Sequence, residues 1–449
     1  MSRRWRFFAL LVCSGPGAAL CAAPPPPVPA IDAPHPYYYH ELYLPQLTSG
    51  PSSVAWGPDS REVVYSMAGS LWRQGIDSTA AVQLTDGAGY DYQPDWSPDG
   101  RFIVYASASG EAIELWLLDL RSGKSSALTH GGAINIEPRW SPDGRRIVFV
   151  STAYHRHFHV FVAELRDGQL SEPQRLTEEV KSSLPRYYYS PYDHEINPTW
   201  TRDGQSIVFI SNRGRIHGTG GFWRMPATPG GQAVELHYEE TNWQARPDFS
   251  PDGQRIVYSS YLGRNWLQLW LMPANGGEPF PLTYGDWDET SPRWSPDGQL
   301  IACVSNRDGD TQLRLVRLPG GNSRPLEVTQ RQRLRPSGVL HLSVRDEQGR
   351  ATPARAVVTD AAGRFYAPAR AWTHRAEFDR NEHPFEARYF HTSGDDLIEV
   401  PAGTVNIEVM KGLSLLPQRR TLEVRAGANT EASIEIGRAS CRERVCLYV

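Results

Sequence analysis

Short apolar runs set between turn-forming clusters dominate the chain: Phe102 to Tyr105, Ile147 to Val150, Ile207 to Ile210, Ile256 to Tyr258 and Leu300 to Val304. Each follows an Asp-Gly turn and is too short for a helix, so each reads as a strand. A further segment carries alternation, as in Leu115 to Leu120 and Leu269 to Met272. The next closes on Leu-Thr at Leu84-Thr85, Leu128-Thr129, Leu176-Thr177 and Leu282-Thr283, with Val328-Thr329 as a weaker match. An aromatic and a turn open every unit: Trp56-Gly-Pro-Asp59, Trp96-Ser-Pro-Asp-Gly100, Trp140-Ser-Pro-Asp-Gly144, Trp200-Thr-Arg-Asp-Gly204, Phe249-Ser-Pro-Asp-Gly253 and Trp294-Ser-Pro-Asp-Gly298. The aromatics are spaced by 40, 44, 60, 49 and 45 residues.

In these turns Pro presets φ, the Asp side chain closes onto its own backbone, and Gly accepts a positive φ. Four strands per roughly 45 residues is one propeller blade. Six copies predict an all-β chain with a six-bladed propeller over residues 44–330. The opening aromatics are expected to pack between adjacent blades. Leu47-Thr48 predicts a strand that pairs with the last blade and closes the ring, protecting its edges. The Trp-Ser-Pro-Asp-Gly repeats after Leu-Thr strands resemble the TolB-type propeller over about 285 residues. That resemblance implies a fold and little about function, because propellers host binding and catalysis alike. TolB carries an α/β domain ahead of its propeller, where this chain has Pro-rich residues 24–36, so a protein other than TolB is expected.

Lys and Arg total 46 against 50 Asp and Glu, a net charge of −4, which excludes a basic field that recruits nucleic acid. Arg3, Arg4 and Arg6 precede an apolar stretch from Phe7 to Val12 and a small-residue region ending at Ala23, the order of a secretory signal over residues 1–22. Leu20 before Cys21 favours cleavage over lipid attachment. A Pro-rich linker, 23–43, follows. No run is long enough to cross a membrane, and a periplasmic or secreted protein is expected. Of five cysteines only Cys303 stands in the body, so no internal disulfide framework is expected.

Candidate chemistry falls in three places. Five residues before the repeat aromatic stand Asp91, Asn135, Glu195, Gln244 and Glu289, with Pro51 breaking the pattern. Two readings stand: a polar ring at one channel mouth that takes a cation or basic ligand, or hydrogen bonds to the loops leading into each blade. The 60-residue spacing holds an insertion, Leu184 to Glu195, rich in rings and charge. Its contact candidates are Arg186, Tyr188, Tyr192, His194 and Glu195, against the alternative of an aromatic plug. Third, His155, His157 and His159 would share one side of an extended strand, and three histidines can hold zinc. The expected exposed turn and the lack of a carboxylate at matching spacing favour a solvated hairpin. No Gly-x-Ser-x-Gly elbow or phosphate-binding Gly loop occurs, so no catalytic residue, metal ligand or cofactor is assigned within the chain.

From Gly338 short alternating strands with Gly turns argue a β-sandwich over 336–434, linked through Arg331 to Pro336. Its Pro401-Ala-Gly-x-x-x-Ile-Glu-Val409 segment resembles carboxypeptidase-regulatory-like domains. Propeller then sandwich, with Tyr389 to Gly394 and Val409 to Gly412, resembles the N-terminal part of CehA/McbA-like metallohydrolases. That resemblance implies a following catalytic domain with an early His-x-His motif and a divalent metal. His341, His374, His383 and His391 are isolated and match none of those ligands. Residues 435–449 abandon alternation and look like a translated sequencing adapter. The expectation is a non-catalytic portion of a metal-dependent hydrolase, its propeller binding or gating a protein or small-molecule ligand at the channel. The alternative is a complete periplasmic module that binds protein or glycan.

Overall fold

The computed structural model describes residues 50–437 apart from 110–111, 186–190, 217, 241–243, 370, 372, 376–387 and 413–414. The expected signal, the linker, Leu47-Thr48, Arg186 and Tyr188 lie outside the described residues. Among those described, every regular element is a β-strand. Six antiparallel sheets follow one another as blades, opening at Pro51, Tyr90, Asn135, Glu195, Asp248 and Glu289. The chain is an all-β propeller of six blades followed by a sandwich.

The repeat motif is legible bond by bond. Ser97 Oγ donates to Asp99 Oδ1 at 2.6 Å and accepts the Phe102 amide at 2.8 Å, while Asp99 Oδ1 accepts the Arg101 amide at 3.0 Å. Gly100 closes the turn at φ +73°. The same bonds recur in the turns that open at Ser141, Thr201, Ser250 and Ser295. At the far end, the Thr of Leu-Thr turns its hydroxyl onto the third strand. Thr85, Thr129, Thr177 and Thr283 accept from the amides of Leu71, Leu115, Val160 and Leu269. Second strands are the least exposed, because each blade covers a face of its neighbour; Val63, Ile103, Ile147, Ile207, Ile256 and Ile301 are all at 0%. Cys303 lies in this core as a buried free thiol.

The end of the sixth blade differs from the expectation. In the sixth blade the place of Leu-Thr is taken by Leu326, whose amide donates to Leu313 O at 2.8 Å, and not by Val328-Thr329. Thr329 instead bonds Thr79, and Gln330–Gln332 runs parallel to Ala80–Val82 as a fifth strand of the first blade. An outer strand with a free edge explains why the presumed linker is captured there. Near the axis Trp56 Nε1 donates to Arg293 O at 2.8 Å, tying blade 1 to blade 6. Trp140 and Trp200 likewise donate to Asp95 O and Arg139 O of the preceding blade.

The axis itself is closed by side chains. Three residues before the repeat aromatics stand Ser53, Gln93, Glu137, Asn197, Arg246 and Ser291. The last five hold φ between 43° and 56°, and each is followed by Pro. Strand pairing slips there in blades 2, 3, 4 and 6. This is a bulge: it turns one amide out of the ladder, and the next residue, Pro, has no amide to lose. The freed amides bond from blade to blade. Gln93 N donates to Ser53 Oγ (3.0 Å), Glu137 N to Gln93 Oε1 (2.8 Å), Asn197 N to Glu137 Oε2 (2.6 Å) and Arg246 N to Asn197 Oδ1 (2.8 Å). Arg246 Nη1 then reaches Ser291 Oγ at 2.6 Å. A cavity of only about 40 Å³ remains among them.

The sandwich packs a sheet of Asp395–Pro401, Ser337–Arg345 and Asn429–Glu435 on one centred on Ala354–Asp360 and Gly403–Met410. Its last strand reaches Glu435 and Ile436 is buried in its core, so alternation persists past residue 434; residues 438–449 lie outside those described. Blade topology gives the propeller two faces. The Pro-Asp-Gly turns mark the lower; the loops between second and third strands, and those between blades, mark the upper. The sandwich sits on the upper face at blade 1, where Arg364 bonds Gly87 O at 2.6 Å and also Ser70, and Arg335 pairs with Asp86 at 2.7 Å.

Glu137→Ala would strip the acceptor from two buried Asn197 donors, the backbone amide and the Nδ2 at 2.8 Å. The expected loss is about 2–4 kcal/mol, read from urea midpoints, with Glu137→Gln retaining an acceptor and losing about half as much.

Candidate functional site

Of the residues five before an aromatic, Asp91, Asn135, Glu195 and Glu289 are buried. Asn135 Nδ2 donates to Glu114 Oε2 of blade 2 at 2.9 Å, and Glu195 Oε2 meets His159 Nδ1 of blade 3 at 3.2 Å. Asp91 accepts from Ser107 Oγ at 2.6 Å, and its amide bonds Gly69 O of blade 1. Glu289 accepts from Trp287 Nε1 at 3.3 Å, and its amide bonds Leu267 O. Gln244 is half-buried. The axial lining is set two and four residues later, because the bulge rotates the chain. The blade-to-blade ring had no repeated residue type to announce it; the recurring Pro was the available signal.

On the upper face the fold joins two stretches that the sequence kept apart. Tyr154 to His157 is a tight turn, not an extended strand, with His155 and Arg156 both at positive φ. His159 opens the third strand and is wholly buried, a correction to the expected exposed hairpin. The carboxylate that local spacing did not supply arrives as Glu179, from the connection leading to blade 4. His155 Nδ1 and His157 Nδ1 lie 3.1 and 2.9 Å from Glu179 Oε2, and His159 Nε2 lies 3.9 Å from it. Burial pushes the Glu179 carboxyl up, and the hydrogen bonds from His157 and His155 outweigh it, holding the group below its usual range.

The inserted loop covers the same cluster. Tyr192 stacks on His157 with ring centres 4.3 Å apart, and Arg175 lies 3.7 Å over Tyr154, itself stacked on His155. Glu195 is held from the other side by Arg213 Nη2 at 3.1 Å. His194 faces elsewhere: its amide bonds Asn212 Oδ1 and its Nε2 meets Thr219 O at 3.1 Å, so it fastens the loop to blade 4. Tyr154, 37% exposed, and His155 are the members most open to solvent.

The lower face carries a bowl of about 480 Å³ walled by the repeat aromatics and turn prolines. Its floor is charged. Arg293 reaches Asp95 at 2.5 Å and Asp248 at 3.6 Å, and Arg139 lies 3.7 Å from Asp95.

Residues 45–179 match the model of the TolB beta propeller domain, PD40. A 90-residue stretch is 36% identical to the uncharacterized peptidase YuxL of Bacillus subtilis, covering 18% of this chain and 13% of that protein. Over 337 residues the chain is 21% identical to dipeptidyl-peptidase 5 of Porphyromonas gingivalis, covering 63% of this chain and 48% of the other. The chain spans less than half the length of the curated relatives it matches. Among solved structures, TolB from Acinetobacter baumannii superposes with a TM-score of 0.48 at 20% identity, covering 62% of this chain and 63% of that one. Among the described residues no helix is long and apolar enough to cross a membrane.

Charge in the lower bowl of this TolB-like propeller is pH-sensitive. Burial pushes Asp95 from 3.8 up to about 6, against Arg139 and the Trp140 amide. Burial likewise raises Asp248 from 3.8 to about 6, opposed by Arg139, the Trp294 amide and Arg202 and assisted by Asp95. A carboxyl that holds its proton more tightly when folded stabilises the fold fully below its unfolded pKa, and that contribution is lost as pH rises through the folded value. The stability difference between wild type and Asp248→Asn is therefore expected to change between pH 3.8 and about 6 and to flatten above it, read from urea midpoints.

Proposed function

We propose that the chain is the non-catalytic, ligand-binding portion of an exported metal-dependent hydrolase. Ligand is received on the upper face between blades 3 and 4. The observation that carries this reading is the convergence of Tyr154, His155, His157, Arg175 and Tyr192 on one patch of the upper face. The axis is closed by the hydrogen-bonded ring, so gating means capture on the upper face and not passage through the channel. Stacked rings beside a guanidinium suit a polar ligand with an apolar or planar face, a peptide or a sugar. Arg186 and Tyr188, on the same inserted loop, belong to this proposal from the sequence. The order of propeller and sandwich, with its resemblance to the CehA/McbA-like enzymes, supports a hydrolase as the parent. The peptidase names of YuxL and dipeptidyl-peptidase 5 fit a propeller placed beside hydrolytic machinery. A second reading is a free-standing periplasmic module for protein or glycan, with the sandwich fastened to blade 1 through Arg364 and Arg335.

Titration of the full chain with a panel of peptides and oligosaccharides, followed by calorimetry, tests the patch. Tyr154→Ala combined with Tyr192→Ala is expected to weaken the ligand found by tenfold or more, about 1.4 kcal/mol. Binding that survives this pair but is lost in Arg139→Ala would move the site to the lower bowl. Turnover of esters, carbamates or phosphoesters by the chain with Zn²⁺ or Mn²⁺ would overturn the non-catalytic assignment.

A further inference from the structure

We propose that His157, His159 and Glu179 form a binding site for one divalent transition-metal ion, with Zn²⁺ the best match to the donor set. The three donor atoms lie within 4.8 Å of one another. Two donors on one ion with bonds of about 2.0–2.2 Å stand at most about 4.4 Å apart, and roughly 3.4 Å in a tetrahedron. The measured separations from Glu179 Oε2, 2.9 Å to His157 Nδ1 and 3.9 Å to His159 Nε2, fall within that span.

The independent pointer is His159. It is fully buried, and its Nε2 has no hydrogen-bond partner. Its other nitrogen, Nδ1, faces Glu195 Oε2 at 3.2 Å and Thr177 Oγ1 at 3.3 Å. In the tautomer that carries its proton on Nδ1, toward Glu195 and Thr177, Nε2 presents a bare lone pair. That lone pair is aimed at a second carboxylate, Glu179. A buried imidazole nitrogen without a partner is costly, and a cation held between it and Glu179 removes that cost. A metal ion satisfies both at once.

The surroundings are those of a supported ligand. Metal-bound histidine usually gives its second nitrogen to a carboxylate, which fixes the ring and strengthens the donor. Glu195 fills that part, itself pinned by Arg213, and Tyr192 fixes the plane of the His157 ring. Two imidazoles and one carboxylate leave a fourth position, the pattern of an exchangeable zinc site. His155, on the exposed side of Glu179, and Tyr154 flank it. A carboxylate or imidazole of an incoming peptide is the chemistry that would take that position. Ion uptake itself does not depend on the ligand reading, since it is measured with no ligand present.

The test uses untagged full chain, stripped with EDTA and titrated with ZnCl₂ and then MnCl₂ by calorimetry, with bound metal counted by elemental analysis. One Zn²⁺ per chain is expected, with a Kd of about 1 μM or tighter. Glu179→Gln and His157→Ala, both at half-buried positions, are expected to weaken it at least 100-fold. Glu195→Gln, which alters only the support, should cost about 10- to 100-fold. Circular dichroism of the metal-free variants checks that they fold; His159→Ala is secondary because its site is fully buried. A Co²⁺-loaded sample should show visible absorption that Glu179→Gln abolishes. No uptake at 100-fold excess Zn²⁺, or uptake undiminished by Glu179→Gln and His157→Ala, would overturn the site. Absence of zinc uptake by the wild-type chain with ligand binding intact refutes the metal site alone, and zinc uptake without ligand binding refutes the ligand reading alone.

Discussion

The interaction on which the rest depends is the amide turned toward the axis by the bulge in the inner strands. Each blade satisfies its own ladder, and apolar packing between blades has no direction, so neither fixes how sheets are phased around a centre. A left-handed residue followed by Pro frees one amide per blade and gives it to the side chain of the preceding blade. The Ser53, Gln93, Glu137, Asn197 and Arg246 relay is therefore directional. It ends where the ring must close: Ser53 in blade 1 is followed by Val54 instead of Pro, and the long Arg246 side chain spans to Ser291. Closure there passes to Trp56 on Arg293 O and to the parallel strand Gln330–Gln332.

Sealing the axis makes the two faces chemically independent. On the lower face, turns of nearly one sequence surround a self-neutralising set of Asp95, Asp248, Arg139 and Arg293. Uniform turns give uniform walls, which is scaffold. The upper face is built from connections whose lengths vary, and the longest, between blades 3 and 4, is the one that folds over the histidines. Variation on a rigid support is where recognition is usually placed.

Local chemistry was legible in the sequence and long-range chemistry was not. The Pro-Asp-Gly turns and the four-strand units follow from bonds within about 45 residues, and the aromatics and the sandwich strands were marked by local residue patterns. The axial ring escaped because its members, Ser, Gln, Glu, Asn, Arg and Ser, share a backbone conformation and not a side-chain type. Counting back to the recurrent acids and amides found the residues that join blades at the upper face. Glu179 escaped because it stands beyond an intervening strand from His159, and only the blade sets them side by side. The final strand of the ring escaped because Gln330–Gln332 is polar throughout, with no alternation to mark it.

The next connection supplies a control for the histidine cluster within the same molecule. Glu239, between blades 4 and 5, is buried like the carboxylates around it. It is satisfied by Tyr258 OH at 2.6 Å, by Ser260 and by His237 at 3.0 Å. Two hydroxyl donors and one imidazole complete that carboxylate without calling for an ion. Glu179 has imidazoles in place of the hydroxyls, and one of them, His159, is committed through its other nitrogen to Glu195. Hydroxyls are donors that rotate to suit an acceptor, whereas a neutral imidazole with one nitrogen donating offers a lone pair at the other. One gap thus holds a carboxylate completed by hydroxyls and an imidazole, and the gap before it holds a carboxylate bonded by His155 and His157 beside a buried His159 Nε2 that has no hydrogen-bond partner.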